Sequence, residues 1–143
     1  MNIYLAASYS RRAEIEGYAE LLRGMGHQVT SRWHQGRNTP LTGSDDMQRF
    51  AHHYARGDIA DIESAELYIA FTTTPMPSEV PGAAACTAPY KAGGTHVEFG
   101  IAVALTKELW VVGPRENIFH FMDGVRLFDS WPPAWEKLRG MTP

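Results

Sequence analysis

A single cysteine, Cys86, excludes an intrachain disulfide and any four-thiolate metal site, and it fits a reducing compartment. Positive charge is also sparse. Thirteen Lys and Arg stand against 16 Asp and Glu, the formal net charge is -3 and the pI is near 6.0. The cations are scattered rather than run together, so the footprint that binds polymeric DNA or RNA is missing. Long apolar runs are absent too: no stretch of 18 such residues occurs, as a membrane-spanning helix would need. The chain begins with a strand-like run and has no basic segment followed by a signal-type apolar core, which reads as a soluble cytoplasmic protein with no membrane partner. There is no internal repeat and no low-complexity tract. What is present, 44% hydrophobic and 20% charged residues over 143 positions, suits one domain spanning residues 1–143.

Short apolar runs alternate with segments of helical period. Residues 3–7 form a run expected of a strand buried on both faces. From 10 to 25 the period changes, with Ile15, Tyr18, Leu22 and Met25 on one helical face and Gly26 as the stop. A second strand is expected at 28–33 and a loop at 34–43, after which Ser44 offers an N-cap for a long helix over about 45–64. The third strand is 67–71. Residues 72–94 hold four prolines and three glycines, long for a connection within a compact domain, and read as an active-site flap. A helix over about 95–106 precedes a fourth strand at 109–112, and the tail carries short pieces near Phe119 and Leu127 before a last helix around Trp135. The alternation predicts an α/β fold, a single-domain flavodoxin- or Rossmann-like parallel sheet with helices on both faces. Chemistry is then expected at the carboxyl ends of the strands, in the loops 8–12, 33–43, 72–94 and 113–120.

Two acidic features stand out. Glu98 follows Gly93-Gly94-Thr95-His96-Val97 at the start of a predicted helix, where backbone N–H groups favour an anion. It is therefore expected to be ionised at neutral pH and free to act as nucleophile or base; the plainer alternative is a glutamate that only complements the helix dipole. On the long helix, Met47, Phe50, Tyr54, Asp58, Asp61 and Ala65 recur at three- and four-residue steps, which puts two carboxylates on or beside a core-facing stripe. Burying an unpaired carboxylate costs several kcal/mol, so one of the pair is expected to open into a cleft. Alternatively both sit at the stripe's edge, bonded to backbone or to an arginine such as Arg56.

Taken in order, Ile3-Tyr4-Leu5-Ala6-Ala7-Ser8, then Gly26-His27-Gln28-Val29-Thr30, then Asp58 seven residues before Ala65, and finally Gly94-Thr95-His96-Val97-Glu98-Phe99-Gly100 carry a likeness. Over roughly residues 1–120 they resemble the nucleoside 2-deoxyribosyltransferase superfamily. Its members exchange bases on deoxyribose or hydrolyse the N-glycosidic bond of nucleoside 5′-monophosphates, and the Gly-Thr-His-Val-Glu segment is especially similar to a cytidylate N-glycosidase branch. The resemblance implies that Glu98 is the nucleophile attacking the anomeric carbon, that the Tyr4 hydroxyl orients it, and that Asp58 handles protons near the leaving base and sugar. Such chemistry passes through an oxocarbenium-like state that an anion stabilises and traps while an acid protonates the leaving group. It needs no metal and no cofactor. The implied partners are a nucleoside or nucleotide, a free nucleobase, and a second copy of the chain in a homodimer or higher homo-oligomer with a shared site.

Other positions follow from the same resemblance. Ser8 falls where the hydrolases hold the 5′-phosphate, with Tyr9, Ser10 and Arg11 continuing that turn. Gly94 and Thr95 could give N–H groups and a hydroxyl to a phosphate. Trp33 stands where some relatives carry a base-contacting histidine, so it either stacks on the nucleobase or packs in the core. Asn117 corresponds to a residue lent to a neighbouring subunit's site, or else caps a turn. Several hydrolases have a phosphate-contacting serine six residues before the nucleophile, and this chain has Ala92, which tilts the expectation towards base transfer over hydrolysis. Two rivals were weighed. His96-Val97-Glu98 is similar to the His-x-Glu of zinc deaminases, but one cysteine cannot complete that metal site. A nucleotide-binding sensor without chemistry would not need Glu98, Tyr4 and Asp58 together.

Overall fold

The four apolar runs read as strands all enter one parallel sheet, and a fifth strand joins them. The computed structural model describes residues 1–35, 44–72 and 93–141, the stretch 44–49 by its backbone only. Its elements are β1 (Asn2–Ala6), a 3-10 turn (Tyr9–Arg11) leading into α1 (Arg12–Gly24), β2 (Gln28–Val29), α2 (Ser44–Ser64) and β3 (Leu67–Phe71). Then come α3 (Gly94–Ala104), β4 (Glu108–Val112), a 3-10 turn (Ile118–Phe121), β5 (Val125–Phe128) and α4 (Trp131–Arg139). The strand order is β2-β1-β3-β4-β5 with every pairing parallel. That is the flavodoxin order.

Apolar residues occupy the central strands: Ile3 to Ala6 of β1 and Leu67 to Phe71 of β3 are buried without a break, as strands covered on both faces require. α2 and α3 pack on one another across one face, where Phe99 meets Tyr68 edge-to-face at 5.8 Å. On the other face Tyr18 of α1 stacks on Phe71 and on Trp131 at the start of α4. α1 ends as expected. Gly26 has φ of +85°, and His27 N–H closes back on Leu22 O at 3.1 Å, the left-handed stop that glycine permits without strain.

Three expectations need correction. β2 covers two residues rather than 28–33, because beyond Thr30 the partner groups on β1 are taken by side chains: Leu5 N–H donates to Ser31 Oγ at 3.2 Å, and Trp33 Nε1–H donates to Leu5 O at 2.7 Å. Residues 33–35 form a turn instead. The short piece near Leu127 is a full strand of the sheet, in register with β4 from Leu109↔Val125 to Val112↔Phe128. Finally, α1 begins two residues later than expected, after the 3-10 turn. The flap 72–94, apart from its ends, lies outside the described residues, as do most of the loop 34–43, Cys86 and Ala92.

Because all strands run one way, their carboxyl ends share one edge, where the chain leaves β1, β2, β3 and β4. Gly113 is needed at that edge. It has φ of +113°, and a Cβ would lie 2.4 Å from Thr72 Oγ1. Among the described residues no helix is long and apolar enough to cross a membrane.

Candidate functional site

The carboxylates on α2 have a reason to sit on the apolar stripe: half of that stripe is a cavity wall. Phe50, Tyr54, Gly57, Asp58 and Asp61 line a cavity of about 430 Å³ with Arg32, Trp33, Gln35 and His53. A second cavity of about 230 Å³ lies between α2 and α3, lined by Ala55, Asp58, Ile59, Ile62, Gly94, Val97, Glu98 and Ile101. Asp58 borders both. Asp61 does not open freely into the cleft, because Arg32 Nε donates to both its oxygens at 2.9 and 3.0 Å and Nη2 to Oδ1 at 2.8 Å. The cation is thus Arg32, not Arg56. Asp58 lacks such a clamp, and burial, then the Asp61 charge, push its carboxyl up to about 6 while Arg32 pulls it down.

Glu98 is the fifth residue of α3, whose first turn holds no acid. The first helical bond runs from Val97 N–H to Gly93 O at 3.1 Å, so the open amides lie N-terminal to it and the dipole has faded at Glu98. The expectation of a freely ionised Glu98 is therefore corrected. Burial first and the charge of Asp58 second push its carboxyl up to about 8, and only an interaction with the Tyr4 hydroxyl favours the anion. Both causes disfavour charge, one by desolvation and one by repulsion.

Tyr4 and Tyr68 are register partners on β1 and β3, and their rings stack at 5.4 Å with 7° between planes. Both hydroxyls are held well above the ordinary tyrosine value by burial and then by Glu98, so both remain proton donors. Tyr68 Oη donates to Thr95 O at 3.2 Å. Tyr4 Oη, fully buried, closes no hydrogen bond among the described residues.

The remaining predicted residues divide. Trp33 is buried with its indole N–H tied to Leu5 O, yet its side chain helps line the larger cavity, so packing and lining coincide. Ser8 Oγ lies 3.0 Å from Ser10 Oγ on the partly exposed turn after β1, and Tyr9 Oη accepts from Arg12 Nη1 at 3.0 Å. Arg11 is committed elsewhere. Its Nε and Nη2 donate to the two oxygens of Glu14 at 2.8 and 2.6 Å, and its Nη1 donates to Thr72 O at 2.9 Å, so it clamps the end of β3. Gly94 lines the smaller cavity at the open start of α3, next to Thr95. Asn117 caps its turn, accepting from Phe119 N–H at 2.9 Å, and its amide nitrogen also reaches His96 Nδ1 at 3.1 Å. Among the described residues no group of three or more His, Cys, Asp and Glu side chains is arranged to hold a metal ion.

Sequence reasoning missed Tyr68, the Arg32–Asp61 clamp, and Gln35 and His53 on the cavity wall. Tyr68 was legible in principle, since strand parity puts it on the same face as the register position of Tyr4. The others join segments whose pairing appears only once the chain folds.

No protein-family model and no curated protein matches the chain, so its likeness to known proteins lies in the fold. A Clostridium botulinum CMP N-glycosidase, BcmB, superposes with a TM-score of 0.58 at 19% identity over 96% of this chain and 98% of its own. A 2-deoxyribosyltransferase from the psychrotolerant bacterium Bacillus psychrosaccharolyticus superposes with a TM-score of 0.63, also at 19% identity, over 94% of this chain and 90% of its own. Both carry the α/β fold described above.

Proposed function

We propose that the chain cleaves the N-glycosidic bond of a 2′-deoxynucleoside or its nucleotide through a glycosyl-Glu98 intermediate and passes the deoxyribosyl group to another nucleobase. One observation carries the reading: Glu98 and Asp58 face one 230 Å³ cavity with carboxyls pushed up to about 8 and about 6. Between those values the pair as a whole holds one proton. In the ligand-free fold that proton rests on Glu98, the group with the higher value; its shift to Asp58 leaves Glu98 to attack and Asp58 to give the proton, the division of labour that glycosidic chemistry needs. The fold shared with an N-glycosidase and a deoxyribosyltransferase supports the same reading.

The proton balance is simple. With the sugar in the smaller cavity, anionic Glu98 attacks the anomeric carbon while Asp58 in its acid form protonates the departing base, so the C–N bond breaks as the ester forms. Tyr4 donates to the Glu98 carboxylate and selects the arrangement with charge on Glu98 and the proton on Asp58. The base leaves into the aromatic cavity between Trp33 and Tyr54. In the second half an acceptor base loses its N–H proton to Asp58, its nitrogen attacks the anomeric carbon, and Glu98 departs as carboxylate. Ser8 and the open amides around Gly94 and Thr95 are suited to a sugar hydroxyl or 5′-phosphate. Asn117, beside His96 at the rim, is the residue we assign to a site shared with a second copy.

Incubation with a deoxynucleoside and a different free base tests the reaction. A new nucleoside is the expected product; free sugar or sugar phosphate alone would mean that water takes the acceptor's place. Running the 5′-monophosphate beside the nucleoside tests Ser8. If Glu98→Ala left every turnover unchanged, the proposal would fail.

A further inference from the structure

A relay of side chains running from buried Ser31 and His34 to partly exposed Glu16 is not used by the chemistry above. Ser31, His34 and Glu16 come from the turn after β2 and from α1. Ser31 and His34 are both buried, and a Ser–His–Glu alignment there cannot serve as a nucleophilic triad because Ser31 has no exposed surface. Its connections point to another task. Leu5 N–H donates to Ser31 Oγ at 3.2 Å, Ser31 Oγ lies 3.0 Å from His34 Nε2, and His34 Nδ1 meets a Glu16 carboxylate oxygen. The other Glu16 oxygen accepts from Arg23 Nη1 at 2.9 Å.

The donor count fixes the direction of the chain. Glu16 as a carboxylate can only accept, so His34 carries its ring proton on Nδ1 towards it, and Nε2 of the neutral ring then accepts the Ser31 hydroxyl proton. Burial holds His34 below the ordinary histidine value, which agrees with a neutral ring. Each donor has one acceptor. This relay also braces Trp33. The His34 ring meets the indole edge-on at 5.4 Å and 88°, and the indole N–H bonds to Leu5 O, the carbonyl of the residue whose N–H starts the relay. Trp33 is therefore gripped at its edge by β1 and at its ring by His34, while its side chain remains in the wall of the 430 Å³ cavity.

We propose that Glu16, through His34 and Ser31, is a positioning residue that sets the angle of Trp33 in the cavity wall and so governs recognition of the nucleobase. The inference rests on reading that cavity as the base site. Glu16 touches no substrate and acts only through the indole, so its loss changes binding of the base and not the bond-breaking step.

The test uses Glu16→Ala, which leaves the buried Nδ1–H without an acceptor, and Glu16→Gln, whose carbonyl can take it. In ¹⁵N-labelled, ligand-free protein the Trp33 indole signal, identified by its loss in Trp33→Phe, should shift in Glu16→Ala and return in Glu16→Gln. In kinetics Glu16→Ala should raise KM about tenfold with kcat within about twofold, the size expected for part of one charge-assisted hydrogen bond. In the Trp33→Phe background the same substitution should add less than about twofold to KM. An unmoved indole signal in Glu16→Ala, or a KM effect kept in full without the indole, overturns the proposal. A wild-type chain that turned over no nucleoside would overturn the functional reading alone, because the indole shift is read without substrate.

Discussion

The two cavities share Asp58 but treat their other carboxylate in opposite ways. In the larger one, Asp61 is gripped by Arg32 through both oxygens, within a wall of Trp33, Phe50, His53 and Tyr54. In the smaller one, Glu98 sits among Ala55, Ile59, Ile62, Val97 and Ile101, and among the described residues none of the influences on its carboxyl comes from a cation. A paired carboxylate is a fixed strut; an uncompensated one is held near its titration point and can change state during a reaction. On the proposed reading, the contrast separates the wall that would receive the base from the wall that would react.

Removing the reactive carboxylate breaks that contrast most strongly. Glu98→Gln should lower turnover by about a thousandfold or more, measured as release of free base. It should also stabilise the fold at high pH. The folded-state value of about 8 lies above the ordinary 4.5, so the wild type has its full stability below about 4.5 and loses it as pH rises through about 8. Glutamine never ionises, so thermal melts at pH 9 should favour the variant by about 2–4 kcal/mol, whereas melts at pH 4 should nearly coincide.

Asp58→Asn should cost about 10²- to 10³-fold in kcat/KM by removing the acid. The wild-type profile should be a bell with limbs at about 6 and about 8. With the acid gone the falling limb should vanish in the variant, leaving activity that rises as Glu98 ionises, at a value below about 8 because the Asp58 charge no longer holds it up. Tyr4→Phe is expected to cost about 10- to 100-fold in kcat, the worth of one hydrogen bond to a charged group in the transition state. Since that hydroxyl closes no hydrogen bond among the described residues, the melting temperature should change little.

The smallest effect falls on the other side of the comparison. Arg32→Met should lower kcat/KM only a few-fold, but it removes the cation that pulls Asp58 down, so the acid limb should shift above about 6. Loss of the clamp on Asp61 should destabilise the chain by about 1–2 kcal/mol, discounted for the exposure of the Arg32 side chain.

How much of this was legible in the sequence follows from the range of each interaction. The runs at β1, β3 and β4 and the face of α1 were readable because period and burial are local. β2 was read too long because nothing local tells that Ser31 and Trp33 replace backbone groups on Leu5. β5 was read as a fragment because Val125–Phe128 is short and holds Arg126 in a sheet-edge strand. At the site, Glu98 and Asp58 stand out by motif and spacing and Tyr4 by the family resemblance alone, but the ionisation of Glu98 is not legible locally. A helix start favours an anion only within its open first turn, whereas this carboxyl lies one residue beyond it in an apolar wall beside Asp58. The hold of Glu14 and Thr72 O on Arg11 is not legible in the sequence, because Thr72 meets it only in the folded chain.

The most direct test of the central claim, that Glu98 is a nucleophile and not a buried acid, is to trap the intermediate. A 2′-fluorinated deoxynucleoside slows breakdown of a glycosyl ester by destabilising the oxocarbenium-like state. Intact-mass and peptide mass spectrometry of the quenched protein should show one added sugar, mapped to Glu98 and absent from Glu98→Gln. Release of base with no adduct on Glu98, or an adduct on another residue, would contradict the account.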